Sequence, residues 1–312
     1  MKEKYFQNNI IVCIGALICC ALWGSAFPCI KIGYSMMSIS NSDTASQILY
    51  AGFRFTLAGI LAIIIASCIS KKPCIPGKSS ISKILFLCIF QTVLQYLFFY
   101  IGLAHTTGVN ASIVEATNVF VAIIISGYIF RQEKVTSRKI IGCIVGFLGV
   151  LIVNMSGLSI SSGVSILGEG FIFISTFAYA FSSVLMKNYS KTENPVMLSG
   201  YQFVFGGLIM AITGYLMGGH LIFNSSSAVL MLFWLAFVSA GAYSLWGILL
   251  KYNPVSKVAV YGFMNPVFGV ILSASLLKET DNLGIKCIIA LVLICVGIIV
   301  VNRQDTFRSE IC

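Results

Sequence analysis

Charge is what this chain has least of. Only 10% of its 312 residues are Asp, Glu, Lys or Arg, against about 25% in a soluble globular domain. Too few charges are present to solvate the surface of a water-soluble fold of this size, so the surrounding solvent must be largely lipid. Catalytic signatures are missing too. There is no HExxH, no GxSxG and no paired-Asp motif, which argues against an intramembrane hydrolase or transferase. No GxxxxGK[ST] loop is present, so direct use of ATP is not expected. The chain has two histidines, His105 and His220, neither with a second ligand nearby in sequence, and its eleven cysteines form no CxxC pair with a histidine partner. Neither a metal nor any other cofactor is expected, and the cysteines read as small packing residues of apolar segments.

What is present is hydrophobic sequence, 58% of the chain, and a net charge of +10. A basic balance can signal nucleic acid. Here the cations sit between apolar runs rather than in a patch with aromatic residues, so no nucleic-acid partner is expected. The apolar runs are continuous and long enough to cross a bilayer as helices. They predict ten spans: Ile10–Lys31, Gln47–Cys68, Ile81–Leu103, Thr107–Ile129, Arg138–Asn154, Ile166–Lys187, Val196–Met217, Ala228–Leu250, Lys257–Leu277 and Leu283–Val301. Lys2 and Lys4 before the first run, with Gly24-Ser25-Ala26 inside it, have the look of a signal peptide. Because spans continue along the whole chain, the run reads as the first transmembrane helix.

The loop charges alternate. Sixteen of the twenty Lys and Arg residues fall before span one, in every second loop, or after span ten. Only Lys31, Lys278 and Lys286 belong to the other set of loops. The positive-inside rule then places both termini in the cytoplasm of an inner or plasma membrane.

The sequence also repeats itself. Trp23-Gly-Ser-Ala-Phe-Pro-Cys-Ile-Lys31 in span one aligns with Tyr179-Ala-Phe-Ser-Ser-Val-Leu-Met-Lys187 in span six. Phe53-Arg54-Phe55 in span two aligns with Tyr201-Gln202-Phe203 in span seven, each followed by a glycine, Gly59 or Gly207. Glu133 after span four matches Glu279 after span nine, and Gly149 matches Gly297 in the helices beyond. The shared order indicates two five-helix repeats, 1–154 and 155–312. Five is odd, so the second copy enters the membrane from the opposite side. An all-α membrane fold of two inverted repeats around a central cavity is a build common among secondary transporters.

These residues resemble the drug/metabolite transporter superfamily, EamA type: Trp23-Gly-Ser with a following Lys, Arg54 in span two, Glu133, and Pro266 with Glu279. The resemblance covers nearly the whole chain. It implies ten helices around a cavity that opens alternately to each side, and export of amino acids or other metabolites. The sequence departs from the pattern in span four. Phe120 stands where the counterpart of Pro266 is expected, leaving the matching bend without its proline.

An ionisable group inside lipid is costly unless paired or hydrated. Arg54 and Glu115 both lie about eight residues into spans of the same direction, roughly 12 Å below the helix ends. Gln95 and Trp23 reach the same depth. Two readings stand for the charged pair. Arg54 meets a substrate carboxylate while Glu115 takes a cationic group or a coupling proton, or the two form an ion pair that pins two helices. Asn118, Gln202, Asn265 and Gln91 suit hydrogen bonding between helices, and Trp246, Tyr243 and Tyr179 suit cavity walls or interfacial belts. Pro28 and Pro266 free backbone carbonyls within their spans. Gly142 and Gly146 form a small-xxx-small face for close packing or for a homodimer. Glu133 and Glu279 are expected to anchor loops as acceptors for helix N-termini. The sequence points to a transporter of a small-molecule substrate embedded in a lipid bilayer, with proton coupling as one mode of drive and a channel or non-transporting scaffold as the alternative.

Overall fold

Ten apolar segments form helices long enough to cross a bilayer: Asn9–Met36, Thr44–Ser70, Lys78–Leu103, Asn110–Ile129, Ser137–Asn154, Ile166–Tyr189, Pro195–Leu216, Ser226–Tyr252, Val255–Leu276 and Ile285–Asn302. The computed structural model describes residues 2–40, 42–106, 108–154, 165–223, 225–277 and 285–303, and no strand occurs among them. Glu279 and the loop around it lie outside the described residues. Large apolar side chains cover the outside of the bundle, among them Ile14, Ile64, Leu148, Ile212, Phe237 and Ile288. This is the surface expected of a multi-pass membrane protein.

Helix contacts follow the repeat. Span two packs on span seven, and span five on span ten. Span one packs on spans eight and nine, as span six packs on spans three and four. Exchanging each span with the one five places along maps this pattern onto itself, so the two halves interleave around a pseudo-twofold axis. The two–seven crossing is close because both backbones carry glycine there. A Cβ on Gly207 would stand 2.4 Å from Thr56 N, and one on Gly59 would stand 2.5 Å from the Gly200 carbonyl oxygen. The five–ten crossing uses Gly142 and Gly297, each of whose added Cβ would press on the other's carbonyl. The Gly142–Gly146 face is therefore filled by span ten and by Phe263, and it is not free to dock a second copy.

Two spans are broken near their middles. Span nine runs as a helix over Val255–Ala259, tightens to a 3₁₀ turn over Val260–Phe263, and resumes as Met264–Leu277. Pro266 explains the break, because it offers no N–H to the Gly262 carbonyl. The Cys20 thiol donates to the neighbouring Tyr261 carbonyl at 3.2 Å. Span four breaks as well, between Gly108–Ala116 and Asn118–Ile124. It has no proline, so the bend there has another cause. Thr117 interrupts the ladder, its N–H and Oγ1 both donating to the Val114 carbonyl at 3.0 and 2.6 Å. Pro28, by contrast, is buried within an unbroken span one.

One end of the bundle collects the basic loops, and apolar packing fills the interior next to it. Val12, Ala16, Cys19, Cys20, Val119, Ile123, Val184, Leu249, Val258 and Phe263 belong to one buried cluster there. Polar links tie the halves together at this basic end. The Glu133 carboxylate accepts from Ser126 Oγ at 2.8 Å, Lys139 Nζ at 2.5 Å and Ser256 N at 2.9 Å, and also from Ser256 Oγ. Ser256 lies in the first turn of span nine, so Glu133 holds a helix N-terminus belonging to the other repeat. Burial would raise the pKa of Glu133, but the Lys139 ammonium and the Ser256 donors outweigh it and hold the carboxyl below its ordinary value. Lys187 at the end of span six donates to the Leu250 and Asn253 carbonyls at 3.1 and 2.5 Å, covering the C-terminus of span eight. Lys83 pairs with Glu193 at 2.7 Å.

Candidate functional site

A cavity of about 140 Å³ lies inside the bundle, close to the ~150 Å³ that holds a benzene-sized molecule. It draws on the later halves of spans one and three, the earlier halves of spans two, four and six, and the middles of spans eight and nine. It therefore occupies the middle and the half away from the basic end. Both broken helices border it, span four through Glu115, Ala116 and Asn118 and span nine through Gly262, Asn265 and Pro266. Discontinuous helices beside a midplane cavity put otherwise disallowed polar backbone where it borders the cavity.

Arg54, Glu115, Trp23, Gln95, Asn118 and Asn265 all line this cavity. Two candidates do not. Gln202 is fully buried and accepts from Thr92 Oγ1 at 2.5 Å, joining span seven to span three. Trp246 lies behind Trp23, with ring centroids 5.0 Å apart. Pro28 is also outside the lining, next to Phe27, which is part of it. His105 is exposed, with its Nδ1 within 2.9 Å of the Ile101 carbonyl oxygen, and His220 is exposed at the start of a loop. No cluster able to hold a metal occurs among the described residues.

The walls are aromatic. Trp23 meets Tyr243 at 5.1 Å and Tyr179 at 6.4 Å, edge to face in both cases. The hydroxyls of Tyr96 and Tyr243 lie 2.7 Å apart, with Gln95 Nε2 at 3.5 Å from Tyr243. Edge-to-face rings hold one another in place and leave other faces for a ligand. Several buried polar atoms of this layer have no hydrogen-bond partner among the described residues, Trp23 Nε1, Gln95 Oε1 and Asn265 Oδ1 among them.

The ion pair between Arg54 and Glu115 is not formed. Both border the same cavity, yet neither takes part in an ion pair among the described residues. Arg54 is 4% exposed, and its Nε and Nη2 donate instead to Ser239 Oγ of span eight at 3.1 and 2.9 Å. Its Cζ lies 5.1 Å from the Phe55 ring centroid. Glu115 is half-buried and has no hydrogen-bond partner among the described residues. Spacing along the spans led to the expectation of a shared layer, and the structure brings both residues to one cavity. The rotation of each helix about its axis decides whether two side chains at one depth face each other, and spacing does not carry it. Ser239 escaped the sequence reading altogether, as a small hydroxyl in a run of small residues. A polar residue of span eight facing span two, as Thr92 of span three faces span seven, was the signal available from the repeat.

Ten spans in two inverted halves, with broken helices and unpaired charges around an inner cavity, define a membrane transporter rather than a soluble binding module. The chain belongs to the EamA-like transporter family, whose model matches residues 10–155 and again residues 166–303. A relative from Archaeoglobus fulgidus, named an uncharacterized transporter, is 27% identical over 90% of this chain and 95% of its own. A Salmonella typhimurium protein named "Probable amino-acid metabolite efflux pump" is 25% identical over 85% of this chain and 86% of its own. A solved crystal structure shares the fold, with a TM-score of 0.75 over 93% of this chain and 96% of that one at 14% identity.

Proposed function

We propose that this protein is a secondary carrier that exports a small zwitterionic metabolite of amino-acid type by alternating access. The observation that carries this reading is the pair of opposite charges on one cavity, neither in an ion pair among the described residues. A buried charge without a counter-charge is costly. A ligand bearing both a carboxylate and an ammonium answers both costs at once, the carboxylate at Arg54 and the ammonium at Glu115. The cavity volume limits the ligand to a small molecule, and the Trp23, Tyr179 and Tyr243 rings suit an apolar side chain. The name of the Salmonella relative points the same way.

In this reading the basic end faces the cytoplasm, and the cavity reaches it only when spans four and six part from spans eight and nine. The Glu133–Ser256 and Lys187–Asn253 links must then break. Glu115 also serves as the coupling group. A proton and the substrate ammonium both neutralise its carboxylate, so the two compete for it, and exchanging one for the other couples substrate movement to a proton gradient.

The test is counterflow in proteoliposomes with a panel of labelled amino acids, with and without a pH gradient. Saturable uptake accelerated by substrate on the opposite side is expected. Arg54→Lys and Glu115→Gln are expected to lower it about tenfold or more, and Glu115→Gln to remove its pH dependence. Tracer movement indifferent to opposite-side substrate would instead indicate a pore, and no movement at all a scaffold. Unchanged pH dependence in Glu115→Gln would take Glu115 out of the coupling.

A further inference from the structure

A guanidinium carries five N–H donors in a rigid fork. Its side-on edge, Nε with one Nη2 hydrogen, is one of the two edges that can grip a carboxylate with parallel bonds. In this protein that edge is already taken, because Nε and Nη2 both donate to Ser239 Oγ, at 3.1 and 2.9 Å. Ser239 is fully buried and does not line the cavity. It contacts Arg54, the one cation among the described residues lining the cavity, from behind, from the opposite half of the molecule. Three donors remain on Arg54, two on Nη1 and one on Nη2; one hydrogen from each nitrogen makes the end-on edge, and the Tyr100 hydroxyl of the cavity wall lies beside this guanidinium.

The contact is built into the architecture. Gln202 occupies the position in span seven that Arg54 occupies in span two. It meets a hydroxyl of span three, Thr92, as Arg54 meets a hydroxyl of span eight. Both hydroxyls are fully buried. The neutral version of the contact lies away from the cavity, and the charged version borders it. A neutral hydroxyl on Arg54 also has a consequence that a carboxylate in its place would not. It fixes the direction of the side chain and leaves the positive charge uncancelled.

We infer that Ser239 is a positioning residue for substrate recognition, holding Arg54 so that its end-on edge receives the substrate carboxylate. This rests on the reading of Arg54 as the carboxylate contact. An arginine loses less conformational freedom per bond formed when its fork is already oriented. Ser239 therefore sets affinity for the carboxylate of the ligand and leaves its amine and side chain untouched.

The experiment measures counterflow kinetics in proteoliposomes, with L-valine as first probe and then the fastest-exchanging amino acid of the panel. Isobutylamine, valine without its carboxylate, serves as competitor. Ser239→Ala is expected to raise KM for the amino acid about tenfold, leave the maximal rate within about twofold, and leave competition by the amine unchanged. Ser239→Thr, which keeps the acceptor, restores KM. Ser239→Cys keeps the volume with a weaker acceptor and gives an intermediate KM, so the result survives if the alanine variant does not fold. KM unchanged in Ser239→Ala and Ser239→Cys while Arg54→Lys raises it would overturn the positioning role and leave the carboxylate contact standing. KM unchanged in Arg54→Lys as well would remove both. A parallel loss of amine competition would show general damage to the cavity and likewise overturn the proposal.

Discussion

Phe55 and Phe203 stack with ring centroids 5.2 Å apart and planes 19° from parallel. They hold the same place in the two repeats, one residue after Arg54 and one after Gln202. Equivalent residues can touch only where the pseudo-twofold axis passes between them, so this stack marks the axis inside the protein. At the two–seven crossing beside it the backbones of the halves come into direct contact.

That crossing gives the first prediction. Gly207→Val places carbon 2.4 Å from Thr56 N and 2.8 Å from the Gly52 carbonyl oxygen, against backbone that has no rotamer to yield. A loss of about 3 kcal/mol or more is expected, at the upper end of overpacking costs, seen as a lowered melting temperature in detergent. Gly241→Ala is the matched control, since its Cβ would meet only Leu22 Cδ1 at 3.7 Å. Equal melting of the two variants would show that the crossing is looser than its glycines indicate.

Glu133 gives a pH dependence whose sign follows from its surroundings. Its pKa is held below the ordinary carboxylate value, because the Lys139 and Ser256 donors outweigh burial. A depressed folded pKa means that the stabilisation is fully present above the unfolded value of about 4.3. It is lost as pH falls from there through the folded value. Melting of the wild-type protein is expected to drop in that acid window. Glu133→Gln should start about 3 kcal/mol lower at neutral pH and show a flatter acid limb. An acid limb as steep in the variant as in wild type would assign the effect to another group.

The same contact tests alternation. Glu133 touches Ser256 through its carboxylate, so cysteines at the two positions, in a background without the native cysteines, can be joined by a short cleavable thiol cross-linker. Cross-linked Glu133→Cys/Ser256→Cys protein is expected to stop counterflow, with return when the linker is cleaved. Undiminished exchange by the cross-linked protein would show that spans four and nine do not part at the basic end.

Trp23 forms edge-to-face contacts with Tyr243, Trp246 and Tyr179. Trp23→Phe should keep a ring against these partners and change KM for an apolar amino acid by no more than a few-fold. Trp23→Ala should cost about 3 kcal/mol of stability and weaken apolar substrates more than small ones such as glycine. A uniform loss across substrates in KM measurements would assign Trp23 to packing alone.

The span count, the segregation of charge and the order of the repeat were all legible along the chain, because lipid imposes length and hydropathy on each helix separately. The break in span four was not. The family resemblance implies a proline there, the sequence has Phe120 instead, and Thr117 makes the break by bonding its own backbone neighbour, a choice that local composition does not reveal. The Gly142–Gly146 stripe was legible as a packing face, and only the fold shows that span ten fills it.

The layer that holds Arg54 and Glu115 returns the same division. Depth is a one-dimensional quantity, about 1.5 Å per residue along a helix, so the sequence alone could set the expectation that the two charges share a layer, and both do border one cavity. Partnership depends on how ten helices rotate and cross, which long-range packing decides. Interleaving of the halves turned Arg54 toward Ser239, a residue 185 positions away, and left Glu115 on the cavity with no ion-pair partner among the described residues.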